Sequence, residues 1–175
     1  RAPDKGSVAH VAREVGFPIL LRPSFVMGGD RIRVFKDPEA LRAHLAVSPD
    51  EGAYLVDRFL SQSMEVDVDA VSDGEELAVC GILEHIEPAG IHSGDSSMLY
   101  PAVNLSEELV SRIEGYIRRI ARAFKIKGIC NLQLAVHKGT PYVIELNARA
   151  SRTVPFLSKA TGIPWAKVAT KVLLG

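Results

Sequence analysis

The sequence predicts an α+β fold in which antiparallel sheets are covered by helices on one side, and three stretches carry that expectation. Residues 131–147 alternate apolar and polar side chains across a short glycine-containing break. Residues 65–71 alternate strictly, and residues 106–124 repeat apolar side chains at helical spacing. A period of two marks a half-buried strand, and a period near 3.6 an amphipathic helix.

In sequence order, Ser7 is placed to cap a short helix, S-V-A-H-V-A-R-E-V, with Val8, Val11, Ala12 and Val15 on one side. Residues 17–21 read as a short apolar strand ending in Arg22-Pro23-Ser24, Met27-Gly28-Gly29-Asp30 as a turn, and residues 31–35 as a second strand. Asp37 before Pro38 starts a helix expected to run through Ala46. Residues 54–59 form a mostly apolar strand. On the strand that follows, Glu65, Asp67 and Asp69 face one way and Val66, Val68 and Ala70 the other. Asp73-Gly74 is a hairpin turn. Residues 77–87 make the next strand, its first half apolar throughout and so expected to be buried on both faces. After a polar loop over 88–97, Ser106 caps a long helix to Phe124 with Leu109, Ile113, Ile117 and Ile120 as its apolar stripe. The hairpin over 131–147 follows, and two short helices split by Gly162-Ile163-Pro164 finish the chain.

The hairpin carries the chemistry. Leu132, Leu134 and Val136, then Tyr142, Ile144 and Leu146, are its apolar positions; Asn131, Gln133, Glu145 and Asn147 are its polar ones. Lys138-Gly139-Thr140 has the length of a hairpin connection. Symmetry about Gly139 sets Gln133 opposite Glu145 and Asn131 opposite Asn147, close enough to share a ligand. Arg149 and Arg152 come next. Amide and carboxylate oxygens beside guanidinium groups suit a Mg²⁺-bound polyphosphate. The alternative is a solvated outer face, but such a face ordinarily carries Lys, Glu and Thr.

Bulk composition narrows the classes. The chain has 175 residues, 47% hydrophobic and 24% charged, an ordinary globular balance. Lys plus Arg equals Asp plus Glu at 21 each, so no basic excess points to nucleic acid. Cys80 and Cys130 read as small buried side chains in a reducing compartment. No apolar run reaches transmembrane length and no signal-peptide pattern is present, so no membrane role and a cytoplasmic location are expected. The chain starts at Arg1 rather than Met, as a fragment or a processed polypeptide would.

Other constellations are weaker. Arg22 precedes the Gly28-Gly29 turn, which lets backbone N–H groups approach phosphate, but neither a Walker A loop nor G-x-G-x-x-G follows. The Glu65, Asp67, Asp69 stripe reads either as a solvated face or as the source of one carboxylate that accepts from a ribose. His85 and His92 flank Glu87 without the further ligands zinc requires. His92 lies in the polar loop Gly90-Ile91-His92-Ser93, within reach of a phosphate; His85 reads as a packed or hydrogen-bonded strand histidine. No G-x-S-x-G elbow is present.

The strings R-P-S-F-V-M-G-G, E-V-D-V-D-A-V-S-D-G-E, E-H-I-E-P-A-G-I-H-S-G-D-S, N-L-Q-L-A-V and I-E-L-N-A-R-A-S-R-T-V-P-F-L-S-K-A-T-G-I-P resemble, in order and spacing, the ATP-grasp region of the carbamoyl-phosphate synthetase large subunit. The resemblance runs from about Ser7 to Gly175. That subunit has two homologous halves, one phosphorylating bicarbonate and the other carbamate. E-V-D-V-D-A, E-H-I-E and R-T-V-P-F look like the second, C-terminal half, whereas R-P-S-F and M-G-G are closer to the first.

The resemblance implies an ATP-grasp fold of two lobes, a small flap lobe over 1–57 and a large lobe over 58–175 with the metal and phosphate site, lacking a lobe upstream. It implies an ATP-dependent ligase that phosphorylates carbamate with ATP and Mg²⁺ (or Mn²⁺), upstream of arginine or pyrimidine synthesis. Its partners would be the rest of the large subunit and a glutaminase subunit or domain. By the same resemblance Arg22 would contact nucleotide phosphates, and Gly28 and Gly29 would form a flap over them. Arg58 and Leu60 would lie in the hinge beside adenine. Glu65 would hold the ribose, and Gly90, Ile91, His92 and Ser93 would sit near the phosphates. Gln133, Glu145 and Asn147 would hold the metal, with Asn147, Arg149 and Arg152 at the transferred phosphoryl group or the carbamate. Ala148 stands where the family has proline, and Arg58 where it has histidine. The rival readings are a nucleotide-binding fragment without turnover of its own, and another ATP-grasp ligase joining an acid to an amine.

Overall fold

The computed structural model describes residues 1–25, 31–49, 52–87, 89 and 95–175. The protein divides into two compact units, Arg1–Leu60 and Ser61–Gly175.

The first unit is a three-stranded antiparallel sheet with two helices. Its elements are α1 (Val8–Val15), β1 (Ile19–Pro23), β2 (Arg33–Phe35), α2 (Pro38–Val47) and β3 (Tyr54–Arg58), with β1 in the middle of the sheet. Ile19, Leu21, Phe35 and Val56 of the sheet pack with Val8, Ala12 and Leu41 of the helices. Asp37 caps α2 by accepting from the Ala40 amide at 2.9 Å. Ser7, expected to cap α1, makes no such bond. Its hydroxyl donates to the Asp4 carbonyl while the Asp4 carboxylate accepts from the Ser7 amide, both at 2.8 Å. Asp4 therefore shapes the turn that leads into α1.

The second unit contains β4 (Met64–Asp73), β5 (Leu77–His85), β6 (Met98–Leu99), α3 (Glu107–Ala123), β7 (Lys127–His137), β8 (Thr140–Asn147), α4 (Val154–Thr161) and α5 (Trp165–Leu174). All strand pairings are antiparallel, in the order β6-β5-β4-β7-β8. The two-residue strand β6 falls beyond the stretch read as loop, too short to leave a periodic trace. Ser106 caps α3 through the Leu109 amide at 3.2 Å. The α3 stripe Leu109, Ile113, Ile117 and Ala121 covers Val66, Val68, Ala70, Leu132 and Leu134 on one sheet face.

Helices cover both faces of this sheet rather than one. Val154 and Leu157 of α4 and Trp165 and Ala169 of α5 pack on Val71, Cys80 and Leu83 on the opposite face. Gly81 permits that contact: a Cβ there would stand 2.5 Å from Leu157 Cδ2 and 2.8 Å from Tyr100 Cε2. The expected burial of the first half of β5 holds at Leu77, Cys80, Gly81 and Ile82 but not throughout. Ala78 and Val79 are exposed or half-buried, and residues 80–85 are buried. Among the described residues no helix is long and apolar enough to cross a membrane.

Candidate functional site

The second face of the large sheet is apolar only where α4 and α5 lie on it. Elsewhere the strand period brings polar side chains into two rows. Asp67 pairs with Gln133, and Gln133 with Glu145; Asp69 pairs with Asn131, and Asn131 with Asn147. The cross-strand pairs expected from the sequence, Gln133 with Glu145 and Asn131 with Asn147, are the observed ones.

The route to that register differs from the expectation. His137 pairs with Thr140, so the connection is the two residues Lys138-Gly139, both at positive φ (49° and 73°), a type I′ turn. The pairing then shifts by one residue between Gln133 and Leu134, where Leu134 faces Val143 and Ile144 is left over as a β-bulge. Tyr142 consequently pairs with Ala135, in phase with the polar positions, and Val143 takes the apolar phase with Leu134. The bulge returns Glu145 to the polar face; an uninterrupted strand would have set it opposite Leu132.

Gln133 and Asn147 are half-buried and Glu145 is exposed. Among the described residues none of the three side chains has a hydrogen-bond or ion-pair partner. One carboxylate with two carboxamide oxygens suits a hard divalent cation, and Mg²⁺ in particular is held by few protein ligands together with phosphates and water. Among the described residues no three or more His, Cys, Asp or Glu side chains gather as a metal cage. A cation on this face would therefore complete its shell from a phosphate and water.

Beside these open ligands, in the same rows, lies a closed polar network. Asp67 and Asp69, 2% and 0% exposed, are not the solvated stripe that their alternation allowed. His85, buried as the sequence suggested, bonds through Nε2 to Asp67 Oδ2 at 2.8 Å, and its Nδ1 lies 3.6 Å from Glu65 Oε2. The Asn131 amide donates to both aspartates, to Asp67 Oδ1 at 3.2 Å and Asp69 Oδ1 at 3.3 Å. Ser151 Oγ donates to Asp69 Oδ1 at 2.6 Å, and Thr153 Oγ1 donates to Asp69 Oδ2. Burial pushes the Asp69 carboxyl up from its ordinary 3.8, against the pull of the bonds from Ser151, Thr153 and Asn131. Burial, with the nearby Asp69 charge, likewise pushes the Cys80 thiol up to about 12 and the Cys130 thiol to about 11.

Sequence reasoning missed Ser151 and Thr153. Thr153 at the α4 N-cap makes no capping bond with its side chain and turns its hydroxyl to Asp69 instead. Arg149 and Arg152 are exposed; Arg149 Nη1 donates to the Ala150 carbonyl at 3.2 Å. In the first unit Arg22 is exposed on β1. Arg58 ends β3 and donates from Nη2 to the Val15 carbonyl at 3.1 Å. Leu60, just beyond, is half-buried. Gly28, Gly29, Gly90, Ile91, His92 and Ser93 lie outside the described residues.

The model of the family described as "Carbamoyl-phosphate synthase L chain, ATP binding domain" matches residues 2–175. The carbamoyl phosphate synthase large chain of Archaeoglobus fulgidus is 50% identical over 169 residues, covering 94% of this chain and 16% of the relative. The C-terminal section of the large chain of Aquifex aeolicus is 48% identical over 174 residues, 98% of this chain and 32% of that protein. The 175 residues thus span a third or less of either relative. Among solved structures, the biotin carboxylase domain of 2-oxoglutarate carboxylase from Hydrogenobacter thermophilus, in complex with MgADP, ADP and bicarbonate, superposes with a TM-score of 0.77 at 18% identity. That match covers 97% of this chain and 39% of the other.

Proposed function

Because the chain belongs to the family of carbamoyl-phosphate synthase ATP-binding domains and has the ATP-grasp fold, we propose that it forms part of a site that phosphorylates carbamate with MgATP. The observation that carries this reading is the pair of cross-strand rows on β7 and β8, which set Gln133 opposite Glu145 and Asn131 opposite Asn147, with the Gln133, Glu145 and Asn147 side chains unpartnered among the described residues. The match to a C-terminal section among the relatives supports the carbamate-phosphorylating half.

In the proposed reaction a carbamate oxygen attacks the γ-phosphorus of ATP. A new O–P bond forms, the bond to the β–γ bridging oxygen breaks, and ADP leaves with the electron pair. The protein's part is positioning and charge neutralisation rather than covalent chemistry. Gln133, Glu145 and Asn147 would hold a divalent ion, which would supply neutralisation of phosphate charge. Asn147, Arg149 and Arg152 lie at the transferred group, where the guanidinium groups offset charge on its equatorial oxygens. Glu65 accepts from a ribose hydroxyl, with Arg58 and Leu60 at the adenine. Arg22, Gly28, Gly29, Gly90, Ile91, His92 and Ser93 line the phosphates. In this reading residues 1–57 are the flap lobe and 58–175 the lobe of the metal and phosphate site.

The reaction can be run in reverse as a test. In the intact large subunit, Glu145→Gln is expected to slow ATP formation from MgADP and carbamoyl phosphate by about 100-fold or more, with the fold retained. A rate near that of the unaltered protein would sink the metal assignment. The short span of the relatives covered favours a second outcome for the 175 residues by themselves: nucleotide binding without turnover. Calorimetry with MgADP beside an ADP-release assay separates binding alone from catalysis.

A further inference from the structure

The segment that carries both arginines is tied to the sheet at one point. It runs from the end of β8 at Asn147 to the start of α4 at Val154. Its anchors are the hydroxyls of Ser151 and Thr153, which donate to the two oxygens of Asp69. Asp69 sits on β4, hydrogen-bonded between β5 and β7 in the sheet, and has no exposure to solvent. Asn131 donates to Asp69 from the next strand and to Asp67, whose other oxygen is held by His85. The arginine segment thus ends on a buried, hydrogen-bonded support.

The arrangement goes against local preference. A threonine at an N-cap position ordinarily turns its hydroxyl to the first-turn amides, and losing that cap costs about 1 kcal/mol. Here α4 forgoes the cap bond, and the hydroxyl goes to a buried carboxylate 84 residues away in sequence. Burying a carboxylate is itself unfavourable unless donors surround it. Two local costs meeting at one point are expected where a site must be held in a fixed geometry.

We propose that Asp69 is a positioning residue for phosphoryl transfer: through Ser151 and Thr153 it fixes the segment that presents Arg149 and Arg152 beside the Asn131–Asn147 row. The proposal rests on the reading of the site given above. It assigns no contact between Asp69 and the substrate. Its action is indirect, by holding the guanidinium-bearing backbone in register with β8.

The test uses the intact large subunit with the double variant Ser151→Ala/Thr153→Val, the conservative variant Thr153→Ser, and Arg149→Ala as reference. The double variant is expected to lower kcat for ATP formation from MgADP and carbamoyl phosphate roughly 10- to 100-fold, the range set by small misplacements of catalytic groups. MgADP affinity should hold, and the thermal midpoint should fall because a buried carboxylate loses two donors, so activity is read well below that midpoint. In the nucleotide-free protein, amide hydrogen exchange over 148–153 should quicken in the double variant and stay slow in Thr153→Ser, which should also keep its activity. Unchanged exchange over 148–153, or a kcat loss no larger in the double variant than in Thr153→Ser, would overturn the proposal. So would a kcat loss matched by loss of folded protein at the assay temperature, read by far-UV circular dichroism. If the double variant is fully active while Arg149→Ala is inactive, the anchoring role fails and the reading of the site stands. If Arg149→Ala is fully active as well, both fail.

Discussion

Glu84 shows how a single carboxylate sets the acid stability of the large unit. It is 3% exposed and accepts from the Val103 amide at 3.0 Å, the Asn104 amide at 2.9 Å and the Asn104 side chain. Burial alone would raise its pKa, but those three donors together hold it below the ordinary 4.5. A carboxyl depressed in the folded state stabilises above its unfolded pKa, and that stabilisation is lost as pH falls through the depressed value. Glu84→Gln removes that titration. Urea midpoints taken from about pH 6 down to about pH 3 should therefore fall less steeply in the variant than in the unaltered protein. A parallel pair of curves would show that Glu84 does not couple folding to protons. Asp69 has the opposite sign: its raised pKa makes ionisation costly as pH rises above 3.8. Two buried carboxylates on adjacent strands of one sheet thus pull in opposite directions, because one caps backbone amides and the other lies deeper among hydroxyls and a second aspartate.

The hairpin of β7 and β8 was legible in its result and not in its path. Symmetry about Gly139 led to the observed pairs at the site because two departures cancel: the turn is one residue shorter than expected, and Ile144 adds one residue to β8. Alternation of Tyr142, Ile144 and Leu146 hid the bulge, since a bulge costs only one register step and leaves a run of apolar residues apolar. The turn itself is suboptimal. Lys138 holds a left-handed φ of 49°, which costs a side-chain-bearing residue about 1–2 kcal/mol and suits Asn or Gly. Lys138→Asn should raise the thermal midpoint by about 2–4 °C in a protein of this size if it recovers about 1 kcal/mol. A lowered midpoint would argue against the I′ turn. The capped helices α2 and α3 were readable from Asp37 and Ser106, whose side chains do what their positions promise. Ser151 and Thr153 were not readable, because their partner on β4 is remote in sequence and only the tertiary fold brings it near.

At the scale of the whole molecule, the sheet class was fixed by periodicity, whereas helix placement was not. Amphipathic stripes declare that a helix will be buried, without saying on which face of a sheet. The run from Val154 onward forms two short helices, and their docking on Val71, Cys80 and Leu83 needed a face that alternation had marked as acidic. Covering both faces gives residues 61–175 two apolar layers of their own. Expressed alone, that segment should unfold in urea as one cooperative transition seen alike by far-UV circular dichroism and Trp165 fluorescence. Non-coincident transitions would show that its two layers do not form one folding unit. The burial that surrounds Asp69 reaches one step further. Cys80 and Cys130, 2% and 0% exposed, hold their protons far above neutral pH, so neither offers an attacking sulfur while the sheet is closed. Alkylation and peroxide attack at these two positions must wait for the strands to part, so their reaction reports opening of the sheet and not the abundance of reagent.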